Sequence, residues 1–320
     1  MEWDWKTLGL VGGVLVLLAT ATTIVRILKR RAADGGLNTA VLETLALRVR
    51  AWWLLCTVLA AAFLIHPIAI MVLFGFISFW ALREFITLTP TRPGDHRALF
   101  WVFFLCTPLQ FVLVGFRRYE LYSVVIPVYA FLLIPARIAL SGDYKRFLER
   151  IAKIQSGLLI CVYCFSFAPA LLTLQFREMP GGSAARLLFF FVLMVQLSDA
   201  LQYAWAQLPS KHVIVPAVNP SRTWEGLLGG TASVALIGAI LSWATPFSPW
   251  IAAMMSIVVA LMGFCGAMTM SAIKRDRGVK DYGTLVEGHG GVLDRIDSIC
   301  FAAPVFYHIT VLLFPAAIRL

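Results

Sequence analysis

Ten charged side chains and a His-Gly-Gly fall within SAIKRDRGVKDYGTLVEGHGGVLDRIDS, residues 271–298 of a 320-residue chain that is 60% hydrophobic and only 14% charged. Five of the seventeen carboxylates sit there: Asp276, Asp281, Glu287, Asp294 and Asp297. Asp294 and Asp297 are three apart at the expected start of the last helix, so they project from one face. The amino end of a helix favours carboxylates in its own right. Three convergent acids, Asp281, Asp294 and Asp297, also suit Mg²⁺, which takes oxygen ligands and shares them with substrate phosphates. Lys274, Arg275 and Lys280 are cations of the kind that neutralise phosphate. Gly288, Gly290 and Gly291 around His289 let backbone N–H groups approach one closely. Acids for a metal, cations for phosphate and a glycine loop together point to phosphoryl or nucleotidyl transfer.

Two upstream stretches carry related chemistry. Asp199, in VQLSDALQYAW, lies in an otherwise apolar helix, where a carboxylate is costly and faces a cavity or a partner. Gln196 and Tyr203 are expected on its face, and Asp199 is a further candidate metal ligand. The stretch LPSKHVIVPAVNPSRTWEGLLGG, residues 208–230, is a polar loop that enters a helix of small residues. Its Lys211, Arg222 and Thr223 are suitable phosphate partners, and an Arg can hold two oxygens at once. Thr223 or Ser221 is placed to cap the following helix. Gly226 and Gly230, four apart, read more simply as a packing surface.

These residues need a scaffold, and the remainder of the chain describes one. Hydrophobic runs of bilayer-spanning length recur near 7–28, 51–65, 67–82, 98–116, 120–140, 154–175, 186–208, 227–245, 250–271 and 298–317. His66-Pro67 splits the run from 51 to 82, so the count is nine or ten. Backbone groups in hydrocarbon must satisfy one another, which leaves a helical bundle. The expected fold is an all-α, polytopic integral membrane protein, with amino-terminal transmembrane helices over 1–185 and a carboxy-terminal catalytic region over 186–320. The six cysteines all fall inside or at the ends of apolar runs and imply no redox or zinc chemistry.

The net charge of +10 is accounted for by orientation. Alternate loops, with Arg26, carry 21 of the 27 Lys and Arg residues, so by the positive-inside rule they face the cytoplasm. The remaining excess attracts anionic headgroups. No basic tail or aromatic-basic module speaks for nucleic-acid binding. The expected setting is therefore the cell membrane, crossed many times, with the polar loops on the cytoplasmic side.

The pattern Ser271-x-x-Lys274-Arg275…Lys280-Asp281-x-Gly283…His289-Gly290-Gly291-x-x-Asp294-Arg295-x-Asp297 resembles the signature of the phosphatidate cytidylyltransferases, the CDP-diacylglycerol synthases. Asp199…Tyr203…Lys211…Pro216…Pro220-x-Arg222-Thr223-x-Glu225-Gly226 is similar to the second conserved block of that family. Together they cover about the last third of the chain. The resemblance implies a multi-span, dimeric enzyme that joins CTP to phosphatidic acid with Mg²⁺ and releases pyrophosphate. It also implies roles: Asp281, Asp294, Asp297 and Lys280 in catalysis, and Lys211, Arg222, Thr223, Lys274, Arg275, His289, Gly290 and Gly291 in substrate binding. A related enzyme using another phosphate, or a silent lipid-binding paralogue, would share the scaffold. The chain departs from the family where a Gly-Asp-x-x-Glu-Ser run is usual. Here it reads Gly266-Ala267-Met268-Thr269-Met270-Ser271, and Glu287 is the candidate replacement acid. Arg222 stands where the family usually has Lys.

Overall fold

The computed structural model describes residues 5–33, 66–88, 90–176, 183–208, 212–283 and 290–315, with isolated positions between 43 and 53. The chain forms two compact units, Met1–Ile70 and Met71–Leu320. In the first, helix α1 runs over Trp5–Ala33. Threonines at 20, 22 and 23 return their hydroxyls to carbonyls one turn back, as an apolar setting requires. Trp53 Nε1 donates to Thr22 Oγ1 at 3.0 Å. The expected span at 51–65 lies almost wholly outside the described residues.

The second unit is built on eight helices: α2 (Pro67–Thr87), α3 (Pro93–Gly115), α4 (Tyr119–Ala139), α5 (Phe147–Thr173), α6 (Ser183–Trp205), α7 (Trp224–Ile240), α8 (Pro249–Asp276) and α9 (Leu293–Leu313). Among the described residues, eight helices are long and apolar enough to cross a membrane. The protein is therefore a polytopic, all-α membrane protein, as the hydrophobic runs predict. Three helices depart from regular geometry: α3, α4 and α5 each carry a π-helical stretch, at Val102–Cys106, Val125–Ala130 and Leu159–Cys164. The first precedes Pro108 and the second contains Pro127, neither of which has an N–H to return to the preceding turn. Thr107 Oγ1 donates to Val102 O at 2.9 Å and satisfies one carbonyl there.

Helices cannot be driven together by hydrophobicity in lipid, so small residues and buried polar contacts do that work. Ser78 Oγ donates to Cys161 O, joining α2 to α5. Gln110 Nε2 donates to both Tyr122 O and Ser166 Oγ, joining α3 to α4 and α5. The hydroxyls of Tyr122 and Tyr307 meet at 2.8 Å and tie α4 to α9. Helices α6, α7, α8 and α9 pack consecutively. A Cβ on Gly226 would lie 2.6 Å from Gln202 O, and one on Gly230 would lie 2.6 Å from Gln202 Cγ. The Gly226–Gly230 pair is thus a packing surface, the simpler of its two readings.

One polar cluster explains a shifted boundary. The run expected to span from 154 is helical from Phe147, carrying Glu149, Arg150 and Lys153. Arg150 is buried and grips the buried Asp95 with Nε and Nη2, while its Nη1 donates to Asp143 O and Lys145 O. Arg92 Nε bonds Asp143 at 2.7 Å and holds that carboxyl below its ordinary range. Removing one partner of such a buried pair costs about 3–5 kcal/mol, because the other charge is left without compensation. The helix therefore extends past its apolar part.

Candidate active site

The loop between α6 and α7 is folded back on itself. Val213 and Thr223 form an antiparallel bridge, Ile214 N donates to Arg222 O, and Trp224 N donates to His212 O. Asn219 Oδ1 accepts from Ser221 N and Oγ, closing the turn at Pro220. Thr223 is buried and caps α7, its hydroxyl accepting Gly226 N at 3.0 Å. Capping is one of the two uses its sequence position suggests. Two bonds fasten the loop to α8: Asn219 Nδ2 to Ser271 Oγ at 3.0 Å, and Arg275 Nε to Val218 O at 3.3 Å.

This loop delivers Arg222 to α6. One guanidinium nitrogen donates to Gln202 Oε1 at 2.7 Å and the other to Asp199 Oδ1 at 3.0 Å. The second Asp199 oxygen accepts Ser298 Oγ of α9 at 2.7 Å. Asp199 is therefore where α6, the 212–223 loop and α9 meet. Asp297 adjoins this junction, its Oδ1 accepting Ser298 N at 2.7 Å. Ser298 thus joins the two acids, its N–H donating to Asp297 and its hydroxyl to Asp199. Two carboxylates joined through one serine, with the Arg222 guanidinium on the first, form a charged junction near the ends of apolar helices. Gln202 and Ser298 escape a reading of the sequence, because one amide or hydroxyl in an apolar helix carries no label. Their spacing from Asp199 and Asp297 is the only available sign.

A second knot surrounds Asp294. Lys274, in the last turn of α8, bonds Asp294 Oδ1 at 2.8 Å, and both side chains are mostly buried. Asp294 Oδ2 accepts the backbone N–H groups of Tyr282 and Gly291, each at 2.9 Å. Gly290 lies at φ +79°, in the left-handed region that favours glycine. A Cβ there would also lie 2.8 Å from Asp294 Oδ2 and 3.2 Å from Asp281 Oδ1, so no side chain fits between the two acids. The Tyr282 ring stacks on Phe85 and lies under the Lys274 ammonium. Burial first, then the Asp294 carboxylate, pushes the Tyr282 phenol well above its ordinary range. It stays protonated and donates to Met270 O at 2.9 Å.

The candidates thus separate into groups. Asp199, Arg222, Asp297, Lys274, Asp294, Gly290 and Gly291 converge where α6, α8 and α9 end. Lys280, Asp281 and Arg275 are exposed near them. Lys211, His289 and Glu287 lie outside the described residues. Among the described residues, no three His, Cys, Asp or Glu side chains converge as a ready-made metal cage. Ala267 is buried on α8, beside Gly266, which packs against Asp297 O and Phe301.

A bundle of apolar helices that closes paired carboxylates, an Arg fork, a Lys and a glycine turn at one end is the arrangement of a membrane nucleotidyltransferase. The chain belongs to the cytidylyltransferase family, whose model matches residues 46–313. It is 36% identical over 298 residues to the uncharacterized protein YnbB of Escherichia coli (strain K12), covering 92% of this chain and 95% of that one. It is 36% identical over 138 residues to a phosphatidate cytidylyltransferase of Mycobacterium leprae (strain TN), 42% of this chain and 43% of that one. The corresponding enzyme of Synechocystis sp. is 40% identical over 100 residues, 31% of this chain and 34% of its own. The chain therefore spans less than half the length of these two phosphatidate cytidylyltransferases. The protein is a nucleotidyltransferase built on a polytopic membrane bundle.

Proposed function

We propose that the protein joins CTP to phosphatidic acid within the membrane, producing CDP-diacylglycerol and pyrophosphate. The observation that carries this reading is the junction at Asp199, where α6, the 212–223 loop and α9 bring together Asp199 itself, Arg222, and Ser298 with its neighbour Asp297. Two adjacent carboxylates suit Mg²⁺, which commonly takes one or two from protein and the rest from substrate phosphates and water. Asp199 and Asp297 would hold it, with Asp294, one turn before Asp297 on α9, and Asp281 across Gly290 as the further acids. Bound there, Mg²⁺ supplies charge neutralisation on the nucleotide phosphates.

Everything else is done by the chain itself. Arg222 and Lys274 set positive charge beside the carboxylates, and the exposed Lys280 and Arg275 extend it toward incoming phosphates. The glycine turn, whose Gly291 N–H is held by Asp294, contributes close backbone approach without side chains, which leaves room for phosphate beside the acids. The lipid phosphate oxygen attacks the α-phosphorus of CTP, the bond from that phosphorus to the bridging oxygen breaks, and pyrophosphate leaves with its electron pair. A phosphate monoester is already nucleophilic at neutral pH, so no strong general base is needed. Positioning and charge stabilisation supply the rate.

The loops rich in Lys and Arg support a cytoplasmic site in the cell membrane, where CTP is available. The acceptor test uses the purified full chain in vesicles with CTP and Mg²⁺. Vesicles containing phosphatidic acid are expected to yield a CMP-bearing lipid, and vesicles containing phosphatidylglycerol, which lacks a phosphate monoester, are expected to yield none. Transfer to a soluble sugar phosphate instead would reassign the acceptor.

A further inference from the structure

The glycine turn before α9 is clamped from two sides, and one clamp comes from a distant part of the sequence. On one side Asp294 accepts Tyr282 N and Gly291 N. On the other is Glu84 of α2, which is only 4% exposed. Its Oε1 accepts Val292 N at 3.0 Å and its Oε2 accepts Leu293 N at 2.8 Å. These are amides at the amino end of α9, where helical N–H groups lack partners within the helix. The same carboxylate fills the space above two glycines. A Cβ on Gly283 would lie 2.8 Å from Glu84 Oε1, and one on Gly291 would collide with Oε2. The next residue, Phe85, stacks on Tyr282.

We propose that Glu84 is the positioning residue that holds residues 281–283 and 290–294 in their substrate-binding arrangement. This rests on the nucleotidyl-transfer reading of the site. A carboxylate buried this deeply is expensive unless charge-assisted hydrogen bonds satisfy both oxygens. Val292 and Leu293 satisfy them only when the turn is folded as described. If the turn opens, Glu84 is stranded among apolar side chains, so its burial opposes opening. The effect passes through two links: Glu84 fixes the start of α9, and the start of α9 sets where Asp294 and, one turn on, Asp297 stand. Glu84 touches neither substrate nor reacting atoms in this scheme.

The test uses the full chain purified in lipid nanodiscs, comparing the parent with Glu84→Gln, Glu84→Asp and the exposed neighbour variant Arg83→Gln. Glutamine keeps the shape, but its NH₂ group faces a backbone N–H, so one of the two bonds becomes donor against donor. Amide hydrogen exchange at Val292 and Leu293, read without substrate, is expected to accelerate about tenfold or more in Glu84→Gln. The kcat for nucleotide transfer is expected to fall by a similar factor, with the KM for CTP changed less than about threefold. Glu84→Asp, which keeps the charge on a shorter arm, is expected to fall between parent and Gln in both readouts. Arg83→Gln should match the parent. Unchanged exchange at the two amides would overturn the proposal. So would an equal deterioration of kcat, KM and thermal midpoint, which would make Glu84 an ordinary packing residue. Should Glu84→Gln fail to accumulate in the membrane, Glu84→Asp decides by the same readouts. If the parent transfers no nucleotide, the transfer reading fails, and the exchange measurement by itself still decides whether Glu84 holds the turn.

Discussion

Asp297→Asn is expected to lower kcat for nucleotide transfer by about 10²–10³-fold, the usual scale for removing one preorganised electrostatic group. The substitution keeps the oxygen that accepts Ser298 N, so the local backbone bond survives. What disappears is a negative charge held one serine away from the Asp199 carboxylate, since Ser298 N bonds Asp297 and Ser298 Oγ bonds Asp199. Two like charges held together repel, and a bound cation relieves that repulsion. In the resting protein Arg222 and Lys274 relieve part of it. The thermal midpoint of the variant is therefore expected to stay at or slightly above that of the parent, while Mg²⁺-dependent turnover collapses. Full turnover with lowered stability would instead make Asp297 a helix-end carboxylate and remove it from the metal.

Arg222→Met is expected to lower kcat/KM for CTP by about 10²-fold, and Arg222→Lys by about tenfold or less. Arg222 spans two acceptors with one planar fork, Gln202 Oε1 and Asp199 Oδ1. Methionine keeps much of the aliphatic bulk and leaves both acceptors without their donor. Lysine restores the charge but reaches one acceptor at a time. Lysine is also the usual residue at this place in the family's pattern, so partial rescue is the specific expectation. Steady-state kinetics on all three proteins, with thermal melting as a check on folding, reads the result. Equal loss in Met and Lys variants would mean that the fork's geometry matters and its charge does not.

Much of the fold and of the site is legible in the sequence itself. The apolar runs define the membrane helices because only helices satisfy a backbone in hydrocarbon. Acids and glycines gathered at 271–298 in so oily a chain cannot be explained by membrane packing. Three features are illegible for physical reasons. The start of α5 at Phe147 depends on Asp95, in the first turn of α3, burying Arg150. The start of α9 falls at Leu293, where Asp294 and Asp297 lead it to be expected, but the carboxylate bonded to it is Glu84, which lies 208 residues from its Val292 partner. In sequence, Glu84 beside Arg83 resembles an ordinary charge at a membrane boundary. Arg222 reads as a phosphate ligand, and its fork onto α6 emerges only when the 212–223 loop is folded.

The most direct measurement follows the two ends of CTP separately. The purified protein in phosphatidic acid vesicles is given Mg²⁺ with CTP labelled with ³²P at either the α- or the γ-phosphate. Attack at the α-phosphorus predicts that α-label moves into the organic phase with the lipid, while γ-label is released as pyrophosphate in equal amount and never enters the lipid. Label from the γ-position in the lipid would mean phosphoryl rather than nucleotidyl transfer, and no labelled lipid from either position would contradict the assignment of this site to CTP and a lipid phosphate.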